Sequence, residues 1–247
     1  MTKNYTSTKT TSNIFKKPSI KSEIVSQMIY GEDFFIIKKG NEWLKIKTKN
    51  DNYVGYIQNK SYSKQVHPTH KISSLKANVY KLPNKNKSTK LKLSFNSKIK
   101  ITESKNKFLK FERGWIKKNQ VKPINYKDKD PFKKIKIFKN VKYKWGGKSF
   151  RGIDCSALVQ ICLNFNNRYC PRDTKDQIKF FKKYIRLDNI KKNNIIFWKG
   201  HVAVALSKKK VIHAYGPQKK TVIMDLQHTI NRIKKTAKLK VTKIIKL

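Results

Sequence analysis

The chain has 247 residues and a formal net charge of +46, and 38% of its residues are hydrophobic. That hydrophobic fraction is adequate for packed cores, so the charge does not indicate a disordered chain. The length suits one large domain or two to three small ones. Only six of the 60 lysine and arginine residues are arginine. Because nucleic-acid readers concentrate arginine on one face, no specific nucleic-acid partner is predicted.

Cysteine usage and the first residues predict the compartment. Cys155, Cys162 and Cys170 are an odd number of cysteines close together in the chain, which suits reduced thiols better than a disulfide framework. The start, MTKNYTSTKTTSNIF, lacks the apolar run of a secretory signal, and no segment approaches the length of a membrane span. We therefore expect a cytoplasmic protein with no membrane partner, while the oligomeric state stays open.

An internal repeat occupies the first half of the chain. Sliding the sequence by 65 residues aligns Phe15 with Tyr80 and Trp43 with Phe108. Further along, Gly55-Tyr56-Ile57 aligns with Gly114-Trp115-Ile116 at an offset of 59, so the second copy is six residues shorter. Each copy contains short alternating segments separated by turn residues, which is typical of small all-β barrels. Two barrels are predicted, over residues 12–65 and 70–126.

The last part of the chain, residues 131–247, has a different pattern. A helix is predicted over residues 154–166, and a second helical segment is possible in PRDTKDQIKFF. The apolar segments NIIFW, HVAVALS and KVIHAYG follow, and KLKVTKIIKL is a further possible strand. A helix followed by an antiparallel sheet predicts an α+β domain.

Cys155 stands where the turn-like GID segment becomes the predicted helix. Packing is one explanation, because free cysteine behaves as a small apolar residue, and it is the explanation we favour for Cys162 and Cys170. The other is a nucleophile, since the dipole and free N–H groups of a helix start favour a thiolate. A nucleophile requires a base elsewhere in the chain.

Two histidines in the predicted sheet provide that base. If the SKKK turn joins the two strands with Ala205 opposite Val211, His213 lies opposite Ala203, and His201 is its diagonal neighbour on the same face. A slip of one residue would place the two rings on opposite faces. Cys155 would then attack, His201 would transfer the proton, and His213 would hold the ring of His201. A zinc site built from the same three residues is the alternative.

These segments resemble a known family. YKWGGKSFRGIDCSALVQ, PRDTKDQ and WKGHVAVALSKKKVIHAYG are similar to the NlpC-type papain-like cysteine peptidases that cut cell-wall peptides. The preceding barrels resemble bacterial SH3-like domains, and the whole chain resembles the γ-D-glutamyl-L-diamino acid endopeptidases. The resemblance implies a papain-like domain after two SH3-like barrels. It also implies a murein-derived peptide as substrate, peptide recycling as the role, and no metal or other cofactor.

The resemblance also implies individual roles. Cys155 is the expected nucleophile, His201 the base and His213 the third member of the catalytic group. The expected substrate-binding residues are Tyr143, Asp154, Ser156, Glu23 and Tyr53. Of these, Tyr143 would help to hold the oxyanion or the substrate, and Asp154 and Ser156 would contact substrate amine and carboxylate groups, although a helix cap explains Asp154 equally well. Glu23 and Tyr53 in the first barrel would bind the free N-terminal amine.

Two departures from the family pattern lie outside this set of residues. Asn193-Asn194 replaces a usual Gly-Asp, and Ala157 replaces a common glycine. Two other functions stay open: a transferase or different amidase using the same thiol, and a non-enzymatic binder of cell-wall fragments or polyanions in which the barrels do the binding.

Overall fold

The structure, a computed structural model, describes residues 4–60 and 62–247. It contains two compact units: the first comprises the chain up to residue 126 together with residues 148–150, and the second comprises residues 127–147 and 151–247. Within the described ranges no helix is both long enough and apolar enough to cross a membrane.

The first unit begins with a seven-stranded antiparallel sheet. Its strands are β1 (Asn4–Ser7), β2 (Thr11–Phe15), β3 (Ile24–Ile29), β4 (Asp33–Lys39), β5 (Trp43–Thr48), β6 (Val54–Gln58) and β7 (Tyr62–Lys64). Their spatial order is β3-β2-β6-β5-β4-β1-β7. Alternation along β5 buries Leu44, Ile46 and Thr48 and leaves the residues between them partly exposed, as expected for a strand with one face in a core. Strand β1 precedes the predicted barrel, which starts at residue 12.

The rest of the first unit forms two smaller sheets. The strands of these sheets are β8 (His70–Ile72), β9 (Lys76–Tyr80), β10 (Ser88–Ser94), β11 (Lys98–Ile99), β12 (Glu103–Lys105), β13 (Phe108–Phe111), β14 (Gly114–Lys117) and β15 (Val121–Pro123). A further short strand, β16 (Lys148–Ser149), belongs to neither sheet. One sheet has the order β10-β9-β14-β13-β12 and the other β11-β8-β15. A separate apolar cluster, which includes Val79, Leu93 and Ile116, fills this region.

Residues related by the internal repeat make equivalent contacts. Phe15 pairs with Tyr56 across β2 and β6, and Tyr80 pairs with Trp115 across β9 and β14. Phe15 also meets Trp43 edge to face with 5.4 Å between ring centroids, and Tyr80 meets Phe108 in the same way at 5.3 Å. The two halves of the first unit therefore share packing as well as sequence pattern.

The packing in each copy of the repeat requires a glycine. A Cβ added to Gly55 would lie 2.4 Å from Cγ2 of Ile14, and one added to Gly114 would lie 2.5 Å from the carbonyl oxygen of Tyr80. In each copy, the strand that carries the first aromatic residue lies so close to the glycine that no larger side chain fits at the glycine position.

The first unit also encloses an ion pair. Nζ of Lys148 donates to Oε1 of Glu32 at 2.9 Å, and each side chain is only 4% exposed. The backbone N–H of Lys148 donates to Oε1 of Gln27 at 3.0 Å. Removal of either charged partner would leave an uncompensated charge in the interior.

The second unit is an α+β fold. Its strands are β17 (Gly152–Ile153), β18 (Ile195–Trp198), β19 (His201–Ala205), β20 (Lys210–Tyr215), β21 (Lys220–Asp225) and β22 (Lys243–Ile245). Its helices are α1 (Cys155–Phe165), α2 (Thr174–Phe180) and α3 (Leu226–Ala237). Five strands form an antiparallel sheet in the order β21-β20-β19-β18-β22, and α1 packs on β19 and β20. Ten of the eleven residues of α1 are buried, so this helix is the core element that carries Cys155.

Strand β21 and helix α3 of the second unit were not predicted. β21 pairs with β20 along its whole length, and α3 follows it directly. The missed signal was Asp225, whose side chain caps α3 by accepting from the backbone N–H of His228 at 2.9 Å. Strand β21 was missed because polar and apolar residues do not alternate regularly along TVIMD.

Candidate active site

Cys155 is the first residue of α1, and Asp154 is the residue that starts this helix. Asp154 has an extended backbone, and its Oδ1 accepts from the N–H of Ala157 at 2.8 Å. This is an N-cap, as the sequence allowed. Ala157, where the family commonly has glycine, is therefore part of the cap and suits a helix.

A buried arginine holds the cap residue in place. Arg172 is 2% exposed, and its Nη1 and Nη2 donate to the two carboxylate oxygens of Asp154 at 3.0 and 2.6 Å. Nη1 also donates to Oγ of Ser156 at 2.9 Å, and the N–H of Gly146 donates to Oδ2 of Asp154 at 2.9 Å. Both oxygens of Asp154 are thus engaged, and the charge of this buried carboxylate is balanced by a bidentate partner.

The two histidines meet on adjacent strands. Ala205 pairs with Val211 across β19 and β20, which is the predicted register. Nε2 of His201 and Nδ1 of His213 lie 2.8 Å apart, so one of these nitrogens donates a hydrogen bond to the other. The ring of His213 also stacks on Tyr215 with 4.7 Å between centroids. The prediction that both rings share one face is confirmed.

The sulfur of Cys155 lies against the start of β19. The backbone N–H of Val202, the residue after His201, and the hydroxyl of Thr174 both favour the thiolate, and the nearby guanidinium of Arg172 acts in the same direction. Burial has the larger effect, and together with the carboxylate of Asp154 it raises the pKa of Cys155 to about 11. The thiolate preference expected from the helix start is outweighed by loss of solvent.

Burial also keeps the histidines neutral. It lowers the pKa of His201 from 6.5 to about 4. Burial, and then the neighbouring charge of His201, lowers the pKa of His213 to about 3. At neutral pH the site therefore contains a thiol and two neutral imidazoles, and such a thiol needs a base before it can act as a nucleophile.

Tyr143 lies close enough to Cys155 and Asp154 to interact with their charges. Burial is the main reason that the pKa of Tyr143 is raised, and negative charge on these two residues raises it further. Its backbone N–H donates to the carbonyl of Lys219 at 2.8 Å, and it pairs with Ile153 in a short parallel bridge. The hydroxyl is protonated at neutral pH and remains a hydrogen-bond donor.

The other predicted substrate-binding residues have different settings. Ser156 is buried beside Asp154 and Arg172. Glu23, in the first unit, is exposed and forms an ion pair with Lys16 at 3.3 Å. Tyr53, also in the first unit, packs against the core of the seven-stranded sheet. The substrate roles of these residues stay predictions.

Two residues of this site were not identified from the sequence. Arg172 and Thr174 both belong to PRDTKDQ, a segment that carries the family resemblance and received no individual role. The signal was composition: a chain that uses lysine almost everywhere has arginine at position 172. A planar guanidinium donates two parallel hydrogen bonds from two nitrogens to the two oxygens of one carboxylate, a geometry that the single ammonium of lysine does not match.

The zinc alternative requires a different arrangement of side chains. Over residues 4–60 and 62–247, no group of three or more His, Cys, Asp or Glu side chains is placed to hold a metal ion. Cys155, His201 and His213 thus do not form a three-ligand cluster.

The reactivity of Cys155 should depend steeply on pH. Because its pKa is raised to about 11, the thiolate fraction, and with it the rate of alkylation by iodoacetamide, should increase about tenfold for each pH unit from about pH 6 to about pH 10. Peptide mapping by mass spectrometry would give the rate, and the Cys155→Ala protein would give the background from Cys162 and Cys170. A rate that levels off near neutral pH would instead show a resting thiolate.

Two parts of the chain match known protein families. The NlpC/P60 family matches residues 140–239, and the bacterial dipeptidyl-peptidase SH3 domain matches residues 14–61. The first match contains Tyr143, Cys155, His201 and His213.

Three similar proteins extend over most of the chain. Dipeptidyl-peptidase 6 of Lysinibacillus sphaericus is 27% identical over 251 residues, covering 89% of this chain and 91% of the relative. Gamma-D-glutamyl-L-lysine dipeptidyl-peptidase of Bacillus subtilis (strain 168) is 24% identical, with coverage of 84% and 77%. The crystal structure of an NlpC/P60 family protein from Bacillus cereus ATCC 10987 superposes with a TM-score of 0.82 at 16% identity, covering 98% and 99%. The chain thus combines an NlpC/P60 family domain with a bacterial dipeptidyl-peptidase SH3 domain.

Proposed function

We propose that this protein is a cysteine peptidase that hydrolyses the γ-D-glutamyl–diamino acid amide bond of murein peptides. The observation that carries the proposal is the 2.8 Å contact between His201 and His213, on the same sheet that packs against the helix starting at Cys155. The two curated relatives are named as dipeptidyl-peptidases, and one name specifies a γ-D-glutamyl-L-lysine bond.

The reaction would proceed in two steps. Cys155 gives its proton to His201 and attacks the γ-carbonyl carbon, while His213 holds the ring of His201. His201 then protonates the amine of the diamino acid as the amide bond breaks, leaving a thioester on Cys155. Water activated by His201 hydrolyses the thioester and regenerates the thiol.

The developing oxyanion would be stabilised by donors that are already in place. The site offers the N–H groups at the start of α1 and the protonated hydroxyl of Tyr143. Helix α1 begins at Cys155, and Tyr143 is near enough to interact with the charge of that residue. In a buried site, hydrogen bonds to a developing charge are stronger than in water.

The second half of the first unit is proposed to be another SH3-like domain. The repeated aromatic contacts of Phe15 with Trp43 and of Tyr80 with Phe108 support this assignment, as do the two glycines under close strands. A cytoplasmic location, in which the protein would recycle murein peptides, is also part of the proposal. It is supported by the three closely spaced cysteines, an odd number that suits reduced thiols better than a disulfide framework.

The proposal is tested by incubating the purified protein with L-Ala-γ-D-Glu-meso-diaminopimelate and following release of L-Ala-D-Glu by mass. We expect release that survives a chelator and is abolished by a thiol-alkylating reagent. The α-linked isomer of the peptide is the matched control and should stay intact. Failure to cleave the γ-linked peptide and its lysine analogue, with binding retained, would favour the non-enzymatic binder.

A further inference from the structure

The second ring nitrogen of His213 faces a sulfur atom. Nε2 of His213 lies 3.4 Å from Sδ of Met224, within hydrogen-bonding distance for sulfur. His213 is fully buried, so water does not compete for this nitrogen. No role in the site has so far been given to Met224.

The sheet register explains how Met224 reaches this position. His213 pairs directly with Val222 across β20 and β21. Met224 is two residues further along β21, which makes it the diagonal neighbour of His213 on the same face. Its long unbranched side chain can cover that distance.

A second donor converges on the same sulfur. Gln218, at the end of the 3-10 turn Gly216–Gln218, places its Nε2 at 3.7 Å from Sδ of Met224. An amide nitrogen and an imidazole nitrogen therefore both contact the same thioether sulfur. Apolar packing alone would not require two nitrogen contacts to this sulfur.

The chemistry of the thioether determines the direction of each hydrogen bond. A thioether has no hydrogen to donate, so Nε2 of His213 has to carry the proton in this contact. Neutral His213 then has a bare Nδ1, which accepts from Nε2–H of His201. This leaves the lone pair of His201 on Nδ1, the nitrogen that remains to take a proton from the thiol.

We propose that Met224 is a positioning residue that fixes the tautomers of His213 and His201, so that the lone pair of His201 is available to Cys155. The tautomer assignment rests on the contacts alone, and its effect on turnover rests on the proposed function. The uncharged acceptor matters because a carboxylate at this place would favour imidazolium at His213. A charged His213 would have N–H on both nitrogens and could no longer accept from His201.

The test compares two substitutions of similar size. Met224→Leu removes the acceptor and keeps an apolar side chain, whereas Met224→Gln supplies an uncharged carbonyl acceptor. Ile223→Leu, on the opposite face of the same strand, is the control. Long-range proton–nitrogen NMR correlations in ¹⁵N-labelled protein report the tautomer of each imidazole directly, and the chain has only five histidines to assign.

We expect one Nε2–H tautomer for His213 in the native protein, in Met224→Gln and in Ile223→Leu, and a mixture in Met224→Leu. On the γ-linked peptide, kcat of Met224→Leu should fall on the order of fivefold with KM unchanged, and Met224→Gln should retain more activity than Met224→Leu. A purely packing role predicts the reverse order, since glutamine places a polar amide in an apolar site.

Either of two results would overturn the proposal: a single unchanged tautomer in Met224→Leu, or lower kcat in Met224→Gln than in Met224→Leu. The NMR measurement needs no substrate. If the native protein does not cleave the peptide, the proposed function fails and the tautomer result still decides the role of Met224.

Discussion

Replacement of Cys155 by alanine is expected to abolish cleavage of the γ-linked peptide, with a loss of about 10⁴-fold or more in kcat. The substitution removes the atom that forms the thioester, and nothing else at the helix start can replace it. Because alanine favours the helix and the side chain that caps α1 is that of Asp154, the fold of the second unit should be retained. Turnover is measured by mass and peptide binding by calorimetry.

The other two thiols provide matched controls. Cys162 lies in α1 and Cys170 follows it, and both are buried. Cys162→Ala and Cys170→Ala should keep turnover close to that of the native protein at a small cost in stability. Native activity in Cys155→Ala would contradict the proposed nucleophile, and loss of peptide binding in that variant would point to a structural defect.

Replacement of Arg172 by methionine is expected to destabilise the start of α1 by about 3–5 kcal/mol. The substitution keeps an unbranched apolar side chain and removes the charge that balances the buried carboxylate of Asp154. Because the protein has two compact units, a single unfolding free energy is not well defined for it. Hydrogen exchange of the α1 amides gives the local value instead.

Two further variants separate the charge effect from general damage. Arg186 forms an exposed ion pair with Asp188 at 3.4 Å, and Arg186→Met should cost less than about 1 kcal/mol. Asp154→Asn combined with Arg172→Met should recover part of the loss, since asparagine still caps the helix and carries no charge. Equal protection of the α1 amides in Arg172→Met and Arg186→Met would rule out the proposed role of this ion pair.

Much of the second unit was predictable because its signals are local. An apolar run after Asp154 predicted α1 within one residue at each end. The short SKKK turn restricted the strand pairing, and the observed register of Ala205 with Val211 places His201 and His213 together. Side chains alternate along a strand, so the position of the turn determines which face each histidine occupies.

The contacts that were missed join residues that are far apart in the chain, or residues in segments whose hydrophobic alternation is weak. Arg172 reaches Asp154 across 18 positions, and no local pattern indicates that a guanidinium fills the space beside the helix cap. Strand β21 was missed because its polar and apolar residues alternate irregularly. The contact between Met224 on this strand and His213 was therefore missed as well. Strand β1 was missed because its pairing partners, β4 and β7, follow much later in the chain.

The sequence by itself determined where one thiol and two histidines lie in the fold, since a thiol at a helix start and two histidines on one hairpin follow from spacing and alternation. Only the tertiary structure decided their charge states. Burial keeps Cys155 as a thiol and both imidazoles neutral, against the helix-start effect that favours a thiolate. The physical reason is that desolvation depends on every atom packed around a group, whereas a helix dipole or a hairpin register depends on a few neighbours along the chain.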